Sequence, residues 1–259
     1  MRFYLGTHEP AWLAQTAVPL FVSRVRLERR KTLPRALGPW VLDSGGFSEL
    51  DKAGRWSLDA RAYAAFVRRC RAEVGGLEWA AVQDWMCEPR ILNMTGEAVE
   101  DHQLRTVVSY LELRDIAPEV PWAPVLQGWS IWDYHRHAAM YRRLGVDLAA
   151  LPVVGVGTVC RRQDTVTGAL VISQLVGAFG FTNLHGFGFK MQGLDLVGGQ
   201  LASADSLAWS MHAGKRDPLP GCTHKQCRNC IRYALAWRER VLARLTPPAP
   251  APAGPPSLF

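Results

Sequence analysis

Three cysteines and one histidine fall within nine residues in the run Cys222-Thr223-His224-Lys225-Gln226-Cys227-Arg228-Asn229-Cys230. The spacing C-x-H-x2-C-x2-C brings three thiolates and an imidazole together, the donors of a tetrahedral Zn2+ site. With all four positions taken by protein, such a metal is structural and pins its segment to the rest of the chain. His212 is the substitute for His224 as fourth ligand. The competing reading is three reduced thiols beside a surface histidine. Cys70, set in a helical pattern, reads as a packing thiol.

Two aspartates stand at the ends of separate β-rich runs, Asp43 in Asp43-Ser44-Gly45-Gly46-Phe47 and Asp205 in Ser203-Ala204-Asp205-Ser206. Two carboxyl groups facing one anomeric carbon can divide the work of glycosyl transfer, one attacking C1′ and the other handling the proton. The alternative is helix N-capping by either aspartate, or by Ser44 or Ser206. A third set suits the edge of a planar base. Asp84 accepts from ring N–H and amino groups, Gln127 donates or accepts, and the backbone N–H groups at Gly155–Gly157 donate. Phe47, Met86 and Phe187 offer faces for stacking. Gln127 before Gly128 also reads as a turn residue, and Phe47 as core.

These groups need a scaffold that gathers distant positions. Short β-rich runs occur at Phe3–Gly6, Pro19–Ser23, Trp40–Asp43, Trp79–Asp84, Trp122–Gln127, Pro152–Gly157, Asn183–Phe187 and Leu201–Asp205. Amphipathic helical patterns lie between them at Asp59–Val74, Gly96–Leu113, Trp132–Leu144 and Thr165–Phe179. This alternation predicts parallel βαβ units, and about eight of them predict an α/β fold of the (β/α)8 TIM-barrel type rather than a doubly wound open sheet. Several strand ends carry polar or glycine-rich clusters, which a barrel collects at one mouth and an open sheet spreads apart. Residues 1–245 are expected to form the barrel, including the zinc segment 212–245 with its basic helix from about Arg228 to Arg244. The Pro/Ala-rich run 246–259 is expected to stay extended and solvated.

Apolar residues at 48 % and charged residues at 20 % exclude wholesale disorder and a disulfide-dense mini-protein. Thirty basic against 23 acidic side chains give a net charge of +7, which favours a polyanionic partner such as nucleic acid. The 25 arginines against five lysines are also what a GC-rich genome produces, so position must decide. Arg24, Arg26, Arg29, Arg30, Lys31, Arg161 and Arg162 are the leading phosphate contacts. The N-terminal run lacks a signal-peptide core, and no uncharged apolar run approaches the roughly 18 residues that span a bilayer. A cytoplasmic location away from membranes is therefore expected, with the six cysteines as thiols or metal ligands.

In their order along the chain, these motifs resemble the guanine/queuine transglycosylases, which exchange guanine for a 7-deazaguanine in nucleic acid. Asp43-Ser44-Gly45-Gly46-Phe47 resembles that family's D-S-G-G-F motif, whose Asp is the general base and whose aromatic residue stacks on the base. Asp84 falls at the family's base-reading Asp, Gln127-Gly128 resembles its V-Q-G motif, and Gly155-Val156-Gly157 its G-G-L glycine loop. Asp205 stands at the family's nucleophile. The family's zinc ligands follow C-x-C-x2-C with a distant His. Here His224 replaces the second Cys and Cys230 the distant ligand, which keeps three sulfurs and one nitrogen. Phe3–Pro10, Gln83–Pro89 and Ser203–Trp209 are similar to the DpdA group of phages and actinobacteria, associated with 7-deazapurine modification of DNA.

The resemblance implies a pentosyltransferase acting on DNA in a bacterial or phage-infected cell, with structural Zn2+ as its cofactor. Asp205 would attack C1′ of a flipped-out guanosine. A free base such as 7-cyano-7-deazaguanine would then lose its N9 proton to Asp43 and displace Asp205. Phe47, Asp84, Gln127, Gly128, Gly155, Gly157 and Phe187 are the implied substrate contacts. Helper proteins and a homodimer are candidate partners. Two alternatives are a tRNA-guanine transglycosylase acting on RNA and a catalytically silent barrel that binds nucleic acid.

Overall fold

In the computed structural model, which describes residues 1–159, 166–189 and 191–245, the β-rich runs form nine parallel strand segments. These are β1 (Arg2–Thr7), β2 (Leu20–Ser23), β3 (Trp40–Asp43), β4 (Leu77–Ala81), β5 (Trp122–Ala123), β6 (Val125–Leu126), β7 (Val154–Val156), β8 (Leu184–Gly186) and β9 (Ser203–Ser206). They pair in the order β5-β4-β3-β2-β1-β9-β8-β7-β6. The run Trp122–Gln127, expected as one strand, is interrupted at Pro124, which has no N–H for the ladder. Both halves still pair: Ala123 O accepts from Val82 N at 3.2 Å, and Pro124 O accepts from Gly155 N at 2.8 Å. The interrupted strand thus spans the gap between β4 and β7, and the sheet is a nearly closed barrel of the expected class.

The helices are α1 (Arg24–Leu27), α2 (Gly46–Ala53), α3 (Ala60–Val74), α4 (Pro89–Thr95), α5 (Val99–Ile116), α6 (Ile131–Arg143), α7 (Val166–Phe179), α8 (Met191–Val197), α9 (Ala208–Ala213) and α10 (Ile231–Leu245). Local chemistry starts the long ones. Asp59 accepts from Ala62 N at 2.8 Å to cap α3, and Ser130 and Asp133 form a reciprocal capping box at α6. Tyr63, Val67, Cys70 and Val74 then recur along one buried face of α3. Burial pushes the Cys70 thiol up to about 12, in keeping with a packing role.

Alternation along the strands divides the core in two. Phe3, Leu5, Leu20, Val22, Trp40 and Leu42 face the helices, whereas Tyr4, Val41, Trp79, Ala81, Ala123 and Val153 form an inner cluster with Phe21 and Phe187. One step of two residues further along, inward positions turn polar: Ser23 follows Phe21 and Asp43 follows Val41, while β9 is polar at both Ser203 and Asp205. The barrel floor is therefore aromatic and its mouth carries the chemistry. Asp84, Gln127, Gly157 and Phe187, expected inside strands, lie just past the ends of β4, β6, β7 and β8. Arg161, Arg162 and the run 246–259 lie outside the described residues.

Candidate active site

A cavity of about 400 Å³ opens at the C-terminal strand ends, lined among others by Asp43, Gly46, Phe47, Asp84, Met86, Gln127, Gly157, Phe187 and Asp205. Its size suits a small ligand. The two aspartates do not cap helices, because the serines that follow them accept the first-turn amides. Ser44 Oγ accepts from Gly46 N at 3.4 Å, and Ser206 Oγ from Ala208 N at 3.3 Å. Both carboxylates are left to line the cavity. Burial pushes the Asp43 carboxyl above its ordinary value, and the nearby Asp205 charge adds to this. Hydrogen bonds from the Ser23 hydroxyl and the Gly45 amide, with the Arg24 charge, act against it.

Asp84 is held from two sides. Ser44 Oγ donates to its Oδ1 at 3.0 Å, and Gln127 Nε2 donates to its Oδ2. Burial, assisted by the Asp43 charge, pushes the Asp84 carboxyl up to about 6. Gln127 is no free turn residue: its Oε1 accepts from Thr158 Oγ1, its backbone N donates to His137 Nδ1 at 2.8 Å, and its carbonyl accepts from Gln103 Nε2 at 2.7 Å. Each end of the Gln127 amide therefore has an assigned orientation. Phe47, at 43 % exposure, is on the cavity rim rather than in the core.

Two expectations are corrected. The amides of Gly155 and Gly157 donate to Pro124 O at 2.8 Å and Leu126 O at 2.9 Å, so the barrel ladder uses the N–H groups expected to read a base. Their lack of a side chain matters instead: a Cβ on Gly155 would stand 2.4 Å from the Phe187 ring, and one on Gly157 2.2 Å from Gln127 Nε2. Gly128 likewise lets α6 close in, since a Cβ there would meet Asp133 Cβ at 2.7 Å. Arg24 is no phosphate contact either. It is fully buried, donates through Nε to Ser44 O at 2.9 Å and pairs with Glu28 and Glu49. Its charge braces the loop after Asp43. Among the described basic candidates, Arg26 lines the cavity, with Nη2 3.2 Å from His8 Nδ1.

Sequence reasoning passed over Thr158 and His185. Thr158 has a φ of 55°, unusual for a β-branched residue, and this conformation places its hydroxyl between Gln127 Oε1 and Cys87 N, the latter donating at 3.1 Å. His185 is fully buried on the barrel floor, with Nδ1 2.8 Å from Ser203 Oγ and Nε2 3.3 Å from Asp205 Oδ1. Gly188 N also donates to Asp205 Oδ1, at 2.8 Å. The signal available in sequence was the two-residue step from His185 to Phe187, which puts both on the inward face of the β8 run.

The ligand atoms of Cys222, His224, Cys227 and Cys230 all lie within 4.8 Å of one another and can hold a metal ion. Four donors about 2.3 Å from a common centre stand about 3.8 Å apart. The Sγ atoms of Cys222 and Cys230 are 3.9 Å apart, and His224 Nε2 lies 3.1 Å from Cys227 Sγ, so the donor set fits. Leu219 N points at Cys227 Sγ from 3.3 Å, an outer-shell donor suited to a thiolate. His212 is engaged elsewhere, its Nδ1 2.7 Å from the Tyr233 hydroxyl, and His224 takes the fourth place.

No curated protein matches the chain. The family profile described as DpdA, DeoxyPurine in DNA protein A, matches residues 1–250. That span takes in the barrel, its acidic mouth and the cysteine segment, and the chain accordingly belongs to the DpdA family of DNA-modifying transglycosylases.

Proposed function

We propose that the protein exchanges guanine in DNA for a free 7-deazaguanine base through a covalent glycosyl intermediate on Asp205. One observation carries this reading: a single cavity brings together Asp43, Asp84, Gln127 and Asp205, two carboxyls for the reaction and two groups for a base edge. An ionised Asp84 can accept from the N1–H and amino group of guanine while keeping its bonds from Ser44 and Gln127. Gln127 Nε2 has a second hydrogen to offer the base. Phe47, Met86 and Phe187 supply surfaces for its faces. Recognition of this kind requires the nucleotide to leave the duplex stack.

Asp205 attacks C1′ as the C1′–N9 bond breaks, and its electron pair leaves with guanine. The raised Asp43 carboxyl gives guanine a proton, then recovers one from N9 of the incoming base as that nitrogen displaces Asp205 from C1′. Two inversions restore the β-configuration. One N-glycosidic bond replaces another, so the exchange needs no external energy source. Arg26 at the rim is placed to meet a flanking phosphate. We read residues 1–245 as one catalytic unit in which Zn2+ on Cys222, His224, Cys227 and Cys230 anchors the segment leading into α10.

Incubation with guanine-containing duplex DNA and labelled 7-cyano-7-deazaguanine tests the reading. Label should enter DNA in preference to tRNA, and denaturing electrophoresis should reveal a protein–DNA adduct. Asp205→Asn should abolish both signals with the fold retained. Full exchange by that variant would remove Asp205 as nucleophile, and exclusive labelling of tRNA would reassign the substrate.

A further inference from the structure

The floor beneath Asp205 contains a second layer of polar groups. His185 lies opposite Ser203 in the β8–β9 register and is enclosed by aromatic rings. Phe21 stacks on it at 5.7 Å and 9°, Trp79 and Phe187 meet it edge-on at 4.8 and 4.9 Å, and Tyr4 closes a further side at 5.9 Å. This cage fixes the plane of the imidazole. Among the described residues, the ring has two polar neighbours inside it, the Ser203 hydroxyl at Nδ1 and Asp205 Oδ1 at Nε2. An ionised carboxylate only accepts, so Nε2 carries the proton and the Ser203 hydroxyl can give its own to Nδ1. A buried imidazole with both nitrogens assigned is an orienting device.

We infer that His185, held by Ser203, is a positioning residue for Asp205: with the Gly188 amide it occupies Oδ1 and leaves Oδ2 to attack C1′ of the deoxynucleotide. The inference rests on the base-exchange reading above. Oδ1 receives two N–H groups, from His185 at 3.3 Å and Gly188 at 2.8 Å. The carboxylate is thus presented in one rotation instead of turning freely at the mouth. Among the described residues, no arginine or lysine pairs with Asp205; its partners there are His185 and the Gly188 amide. The base-edge groups Asp84 and Gln127 bond to each other, to Ser44 and to Thr158, and the base-stacking Phe187 meets His185 only through its ring, which His185→Phe keeps. The predicted loss therefore falls on the covalent step and not on base affinity.

The test compares His185→Phe, which keeps an aromatic ring in the cage without either nitrogen, with His185→Gln, whose amide N–H can reach the Nε2 position. Single-turnover adduct formation on guanine-containing DNA gives the rate of the covalent step, and equilibrium binding of free guanine gives base affinity. His185→Phe should slow adduct formation about 100-fold, the scale of a misplaced reacting group, with guanine affinity kept within about twofold. His185→Gln should recover the rate to within about tenfold of the unaltered protein. Should the Phe variant fail to fold, Ser203→Ala serves alone, with about a tenfold loss in rate expected at unchanged guanine affinity. An unchanged rate in either His185→Phe or Ser203→Ala overturns the inference, as does a Gln variant as slow as Phe. If the unaltered protein forms no adduct, the base-exchange reading itself falls, an outcome distinct from a wild-type adduct that ignores His185.

Discussion

Asp84 offers the most quantitative test of the site's electrostatics, because its carboxyl moves from an ordinary 3.8 to about 6 in the folded protein. A little over two pH units corresponds to about 3 kcal/mol. The raised value means that the fold favours the protonated form. This contribution is fully present below the unfolded pKa and is lost as pH rises through the folded pKa near 6. Asn at this position does not titrate. The stability of Asp84→Asn relative to the unaltered protein should therefore rise by about 3 kcal/mol between about pH 4 and about pH 8, mostly below about pH 7. A fixed offset arises because Asn replaces one accepting oxygen with a donor NH2, so only one of Ser44 Oγ and Gln127 Nε2 can still donate to it, but this offset does not depend on pH. Urea unfolding of both proteins across the range isolates the slope. A flat difference, or one that falls with rising pH, would refute the burial argument. In base exchange, the unaltered protein should lose affinity for guanine as pH falls below about 6, since a protonated Asp84 gives up acceptor capacity.

Other perturbations follow from packing and charge. Gly157→Ala places a Cβ 2.2 Å from Gln127 Nε2, so the buried amide must swing away from Asp84 and Thr158; the KM for the incoming base should rise tenfold or more, as about 1.4 kcal/mol of lost contact implies, and urea unfolding should show a loss of about 1–3 kcal/mol from the broken bonds. Arg24→Met leaves Glu49 without its buried partner and should cost about 3–5 kcal/mol in urea unfolding, while the salt dependence of DNA binding stays unchanged because Arg24 touches no phosphate. Cys227→Ser should lose bound metal by elemental analysis and, with it, amide-exchange protection in residues 212–245; loss of the fold with metal retained would contradict a structural site.

The acidic mouth explains why separate elements were needed for this chemistry. Asp43 and Asp84 come from the adjacent strands β3 and β4; burial raises both, the Asp43 charge adds to the rise at Asp84, and the Asp205 charge adds to the rise at Asp43. Hydrogen bonds from Ser23, Ser44 and Gln127 moderate the effect. Asp205 arrives from β9, on the other side of β1 and β2, and approaches the same cavity with His185 beneath it. A base can then be read from one side and its sugar attacked from another. The glycines expected to contact substrate support this indirectly, by admitting Phe187 and Gln127 close to β7.

What the sequence by itself determined are the features set by near neighbours along the chain. Four metal-ligand residues within nine positions can converge whatever lies elsewhere, and period-two and period-3.6 patterns specify strands and helices through burial of one face. The barrel class, the cysteine cluster and the identity of the mouth aspartates were legible for that reason. Tertiary structure decided everything that depends on what a residue meets across the fold. Ser44 and Ser206, not the aspartates, accept the helix amides; Arg24 turns inward to Glu28 and Glu49; the ladder consumes the Gly155 and Gly157 amides; and His185 reaches Asp205 from a neighbouring strand. Each outcome turns on strand register and burial, which set the partners and the local dielectric of a group and are shared among residues far apart in sequence.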